Sequence, residues 1–289
     1  MGDKISILEK SGGVNISYRI ISGNYKKRIL VLCHGLASNM TRWFEFAELT
    51  VLKENWDIIL PDLRGHGRSV YRGMITMEEW CSDIAAILDK EGYEKAVVGG
   101  HCLGANIAGN FAHSYPDKCS GAVLLEPLFP ESFTGALKRI GHHKLILNII
   151  IRLTHLINSA GVYRRKLPVL DLRELDRAGR ELIKAAGTPE VLRKRYGSPL
   201  HDLRYIPVVS YLQSVRELLR PLPEIINIKV PKLFIFSSGR LFSESCDINE
   251  LCKAAVNSET VIIDSYHWVP TEKPAELRGA IEDWCNKHF

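Results

Sequence analysis

Five residues constrain this chain more than any other stretch. Gly100-His101-Cys102-Leu103-Gly104 lies between a short apolar run, Ala96-Val97-Val98-Gly99, and a helical pattern from Leu103 to Ser114 that Pro116 stops. A strand that turns sharply into a helix forces its central residue into a strained backbone, and only small neighbours permit it; Gly100 and Gly104 supply that room. Such a turn presents Cys102 at the carboxyl end of a sheet and at a helix N-terminus, where the dipole and free N–H groups favour a thiolate and a developing oxyanion. A free cysteine titrates near ~8.5, so modest stabilisation makes thiolate available at neutral pH. The competing reading is a buried cysteine in an inert turn.

The rest of the chain supports a sheet of this kind. Apolar runs at 29–33, 56–61, 96–99, 121–125, 232–236 and 260–263 alternate with amphipathic stretches such as 76–91, near 247–256 and 274–288. That rhythm predicts an α/β fold with a mostly parallel sheet covered by helices on both faces. Between Leu128 and Lys229 it breaks: the pattern there is helical throughout, including 145–156, 172–186 and 209–219, and punctuated by prolines. A segment of this length is too structured to be a loop. The expected organisation is therefore a core formed by 1–127 and 230–289, with 128–229 inserted as a helical cap.

Composition narrows the class. Seven cysteines, odd in number and scattered, fit neither a disulfide framework nor a zinc site, so no metal is expected, and a reducing cytoplasmic setting follows. No apolar run reaches the roughly 18 residues that span a bilayer, and 1–10 is too polar for a signal peptide, so no membrane partner is expected. Met1-Gly2-Asp3-Lys4-Ile5-Ser6 fits only the loose myristoylation pattern. The cap segment carries eighteen Lys/Arg against nine Asp/Glu, while the remainder of the chain is net acidic. Either this is a solvated helical surface or it attracts an anionic substrate or carrier. Basic–aromatic interleaving and zinc spacing are both missing, so no nucleic-acid partner is expected.

These motifs together resemble the α/β-hydrolase superfamily over nearly the whole chain. His34-Gly35-Leu36 is similar to its oxyanion-hole motif, Asp62 to Ser69 to the turn after its fourth strand, and Tyr266-His267-Trp268 to its C-terminal histidine loop. The resemblance implies an eight-stranded, mostly parallel sheet. It also implies an oxyanion held by the backbone N–H groups of Leu36 and Leu103, donors each worth on the order of 3 kcal/mol in a transition state. The family usually has serine at the elbow; cysteine there resembles dienelactone hydrolases and polyhydroxyalkanoate synthases.

His267 follows the last strand pattern by a few residues, which returns it to the edge that carries Cys102, and it is the expected general base. His34, His66 and His101 read as hydrogen-bonding partners near the site. The usual position of the acid, after the strand ending at Phe236, reads Gly239-Arg240-Leu241-Phe242 and offers no carboxylate. Glu126, directly after the 121–125 strand, is the better candidate, and it resembles an arrangement found in some haloalkane dehalogenases. A glutamate there can hold the distal imidazole nitrogen and stabilise the imidazolium. Glu244, Asp247 or a Cys–His dyad without an acid are the alternatives.

A thiolate, an imidazole and an oxyanion hole imply acyl transfer through a covalent Cys102 acyl-enzyme, with no cofactor. Exchange of one thiol for another is nearly balanced in leaving-group basicity, so sulfur suits acyl thioesters carried on coenzyme A or an acyl carrier protein. The expectation is an acyltransferase or thioesterase acting on a small acyl substrate, with secondary metabolism as one setting. A carboxylester or lactone hydrolase and a non-catalytic ligand-binding member of the fold are the rivals.

Overall fold

A computed structural model describes residues 2–22, 28–188, 191–192, 198–223, 227–239 and 255–289. Eight strands form one sheet: β1 (Gly2–Lys10), β2 (Val14–Ser22), β3 (Ile29–Cys33), β4 (Asp57–Pro61), β5 (Ala96–His101), β6 (Cys119–Leu125), β7 (Lys232–Ser237) and β8 (Ser258–Ile263). Their order is β1-β2-β4-β3-β5-β6-β7-β8. The six strands from β3 to β8 run parallel, and β1 and β2 add an antiparallel edge.

The helices are α1 (Phe44–Leu49), α2 (Met77–Glu91), α3 (Leu103–Ser114), α4 (Gly135–His142), α5 (Lys144–Ser159), α6 (Leu172–Ala186), α7 (Val208–Leu218) and α8 (Pro274–His288). A single helical turn, Val269–Glu272, precedes α8. Strand residues alternate between two apolar layers, as the period of two requires. Val31, Ile59, Val98 and Leu124 pack with α2 and α3, whereas Leu30, Leu32, Ile58, Val97 and Val123 pack with α1 and α8. Both faces of the central strands are covered, which explains why β3 is apolar throughout and why β4 and β5 carry the unbroken runs Ile58–Leu60 and Ala96–Val98.

The edge hairpin is where the sequence pattern was least informative. β2 alternates Val14, Ile16, Tyr18 and Ile20 towards the core, but in β1 only Leu8 is buried, so its sequence carries little strand signature. The insertion between β6 and β7 holds α4 to α7 and no strand element among the described residues. The helix expected near 247–256 lies largely outside the described residues, as do Glu244 and Asp247.

The consequence for function is topological. β5, β6 and β8 all end at the same edge of a parallel sheet, and the residues that follow them converge there.

Candidate active site

The turn after β5 has the geometry its glycines imply. Cys102 has φ 56° and ψ −113°, a left-handed backbone that costs a non-glycine residue on the order of 1–3 kcal/mol. A Cβ on Gly104 would stand 2.3 Å from the carbonyl oxygen of Cys33, and one on Gly100 would stand 2.5 Å from Gly104. Neither position accepts a side chain without moving β3 or α3. The Cys102 N–H donates to Leu125 O at 2.9 Å, which ties the strained residue to the next strand. Cys102 is itself buried, and α3 begins at the next residue.

The His34-Gly35-Leu36 segment lies against this turn. A Cβ on Gly35 would sit 3.5 Å from Cys102 Cβ, so the loop that continues into Leu36 passes beside the thiol. His34 fixes that loop from behind, for its Nδ1 donates to Gly35 O at 2.8 Å and its Nε2 accepts from Leu63 N at 3.0 Å. This pattern needs a neutral ring, and burial holds the His34 pKa well below its ordinary value, aided by the nearby His66 and Arg42. His66 packs edge-on against His34 at 5.2 Å between ring centroids, and burial lowers its pKa to about 4. Asp62 completes the scaffold by accepting from Met40 N at 2.7 Å and Arg68 N at 2.8 Å.

His267 reaches the site from the loop after β8. Its Nδ1 donates to Glu126 Oε2 at 3.0 Å, and its side chain also hydrogen-bonds Cys102. Burial disfavours a charged imidazole there, but the hydrogen bonds and negative charges of Cys102 and Glu126 outweigh it and raise the His267 pKa to about 10. Both partners of the ring thus favour its protonated form.

Glu126 follows β6 directly and has φ 51°. The left-handed backbone turns its carboxylate along the sheet edge, where Oε1 accepts from Ser237 N at the end of β7 and Oε2 meets His267. Its own N–H donates to Ile235 O at 2.8 Å, so the carboxylate is anchored from both sides. The three side chains named from the sequence thus meet at one place, whereas Glu244 and Asp247 lie outside the described residues.

Four positioning residues were not singled out from the sequence. Glu272 accepts from the backbone N–H groups of Tyr266, His267 and Trp268 at 2.9, 3.3 and 3.0 Å, which shapes the histidine loop. Arg42 and Asp176 form a buried ion pair, and Thr271 bonds both partners at 2.9 and 2.7 Å. That trio joins α6 to the segment after His267. The spacing of Glu272 five residues after His267 was the available signal; the Arg42–Asp176 pairing spans 134 residues and left none. His101 does what was expected of it, with Nε2 donating to the backbone oxygen of His267 at 2.9 Å. Its ring stays neutral, since burial, then His267 and Arg42, keep its pKa well below the ordinary value.

A small cleft opens between the core loop, through Leu36, Ser38, Asn39 and Arg42, and the insertion, through Leu170, Leu175 and Tyr205. Trp268, next to His267, also lines it. Among the described residues no cluster of His, Cys, Asp and Glu could hold a metal ion.

Residues 28–142 match the family model described as alpha/beta hydrolase fold. A thermophilic esterase from Thermogutta terrifontis superposes with a TM-score of 0.70 at 22% identity, covering 100% of this chain and 99% of that one. The fold is that of the α/β hydrolases. A thioesterase domain from the curacin biosynthetic pathway gives a TM-score of 0.67 at 18% identity, covering 97% and 99% of the two chains. In sequence the chain is 23% identical to epoxide hydrolase 3 of Xenopus tropicalis over 97% of its own length and 77% of that protein. Together these comparisons support an enzyme of the α/β-hydrolase type. No helix among the described residues is long and apolar enough to cross a membrane.

Proposed function

We propose that the protein transfers acyl groups through a thioester on Cys102 and that its preferred donors are themselves acyl thioesters. The observation that carries this is the buried Cys102–His267–Glu126 chain, in which one imidazole hydrogen-bonds both the sulfur and the carboxylate. A cysteine is a more acidic and softer nucleophile than a serine, and here it reaches its thiolate by passing one proton to the imidazole beside it.

In the first half-reaction the Cys102 thiolate attacks the donor carbonyl, and the electron pair moves to the carbonyl oxygen. The N–H groups of Leu36 and Leu103 receive that oxyanion. Collapse breaks the bond to the donor sulfur, and His267 delivers its proton to the departing thiolate. The neutral imidazole then takes a proton from water or another acceptor, which attacks the acyl-enzyme and releases Cys102 as thiolate with His267 again protonated. Glu126 keeps Nδ1–H oriented and stabilises the imidazolium in each cycle.

The helices of 128–229 act in this reading as a cap whose inner wall, with Leu170 and Leu175, contacts the acyl chain in the cleft. The basic excess of that segment suits coenzyme A or an acyl carrier protein as the donor's anionic part. Intact-protein mass spectrometry with a panel of acyl thioesters, with and without amine acceptors, tests the proposal. Mass added on the Cys102 peptide and released by water or amine is expected. Turnover of the matching oxygen esters or lactones with inert thioesters moves the assignment to a carboxylester or lactone hydrolase. Absence of adduct with either class leaves a binding protein.

A further inference from the structure

The outer face of α5 is the least explained surface of the molecule. This helix carries a broad aliphatic face, and that face is not the one that packs on the protein. Leu147 and Ile151 are buried towards the protein, in the same apolar cluster as α7 residues Val209 and Val215. The opposite face exposes Leu145, Ile146, Ile149, Ile150, Leu153 and Leu156, with Leu145 and Leu156 at 79% and 67% exposure. These positions fall within one broad stripe at helical spacing. A stripe of large aliphatic side chains left in water on a protein surface marks an interaction site.

Charge selects the occupant. From Ser132 to Leu170 the chain has seven Lys/Arg and not one Asp or Glu. Arg152 is exposed beside the stripe, and Arg164, Arg165 and Lys166 follow just beyond the end of α5. A second copy of this chain packed face to face would bring these cations against their own images. An anionic lipid surface instead takes the aliphatic side chains among its acyl chains and the cations among its headgroups.

We propose that α5 and the basic segment after it dock this protein on anionic membrane surfaces, with the helix lying in the interface plane. No span is involved. The inference does not depend on the chemistry at Cys102.

Co-sedimentation of the full chain with vesicles of phosphatidylcholine and phosphatidylglycerol in equal parts, against phosphatidylcholine alone, tests it. Binding to the anionic vesicles that weakens as salt rises is expected. The double variant Ile149→Asp/Leu153→Asp, altered only at exposed positions, should weaken it roughly a hundredfold. Arg165→Glu/Lys166→Glu should weaken it about thirtyfold. Circular dichroism melting and alkylation of Cys102 establish that both variants are folded. No binding to anionic vesicles overturns the proposal, as does equal binding of the folded variants. A concentration-dependent dimer abolished by Ile149→Asp/Leu153→Asp, without vesicle binding, assigns the face to a second copy and also overturns it.

Discussion

The sheet edge around Cys102 and the outer side of the insertion are built on opposite principles. At the edge nearly every group is held by two partners: Glu126 by β7 and His267, His267 by Glu126, Cys102 and Glu272, and His34 by two backbone groups. Two residues there carry positive φ without being glycine, and the surrounding hydrogen bonds maintain that strain. α5 makes few polar contacts and leaves most of its aliphatic surface in water. Chemistry on an acyl carbonyl demands atoms fixed to a fraction of an ångström, whereas a surface that meets a partner needs only its composition. α6 lies between the extremes, joined to the core through the Arg42–Asp176 pair and through Leu172 N donating to Thr41 Oγ1 at 2.9 Å.

That contrast can be broken at its strong end first. Cys102→Ala removes the proposed nucleophile, so acyl-adduct formation should disappear and turnover fall by about 10⁴ or more, measured by steady-state kinetics and intact mass. Glu126→Gln keeps the shape but loses the charge. Turnover should then drop on the order of 10³-fold, and the alkaline limit of acylation should move to lower pH. The sign follows from His267, whose pKa is raised from 6.5 to about 10. In the proposed reaction acylation needs the imidazolium as acid, so in the native protein it should persist until the pH rises through about 10. The same shift gives a stability contribution that is fully present below 6.5 and lost as the pH rises through about 10. Without the carboxylate both limits fall, and a pH series of acylation rates and melting temperatures reads them.

Asp176→Asn probes the intermediate region. It leaves the Arg42 guanidinium buried without its counter-charge, which should destabilise the protein by about 3 kcal/mol in urea titration. Because Thr271 belongs to the same trio, KM should rise along with that loss. The smallest effect is expected on α5, where Leu156→Ser should change stability by no more than about 0.5 kcal/mol. A larger loss there would show that the outer face is covered in solution.

How much of this was legible beforehand differs by region for physical reasons. The central strands were visible because burial on both faces demands unbroken apolar runs, and the Cys102 turn because only glycine fits where 100 and 104 approach β3 and α3. β1 was invisible, since an edge strand with one buried residue need not look like a strand. Glu126 could be placed at the sheet edge from its position after the 121–125 run. The sequence was silent, however, on the left-handed turn that points the carboxylate at His267. The Glu272 clasp left only its short spacing after His267 as a signal, and the Arg42–Asp176–Thr271 trio stayed hidden because it joins residues far apart along the chain.

The sequence by itself therefore determined the layered α/β architecture and the sharp turn at Cys102, since period, apolarity and the absence of a Cβ are local properties of residues. Tertiary structure alone decided that Cys102, His267 and Glu126, which follow three different strands, meet in one hydrogen-bonded chain. That outcome rests on strand order, on burial, and on two backbones held at positive φ by partners far away in the chain.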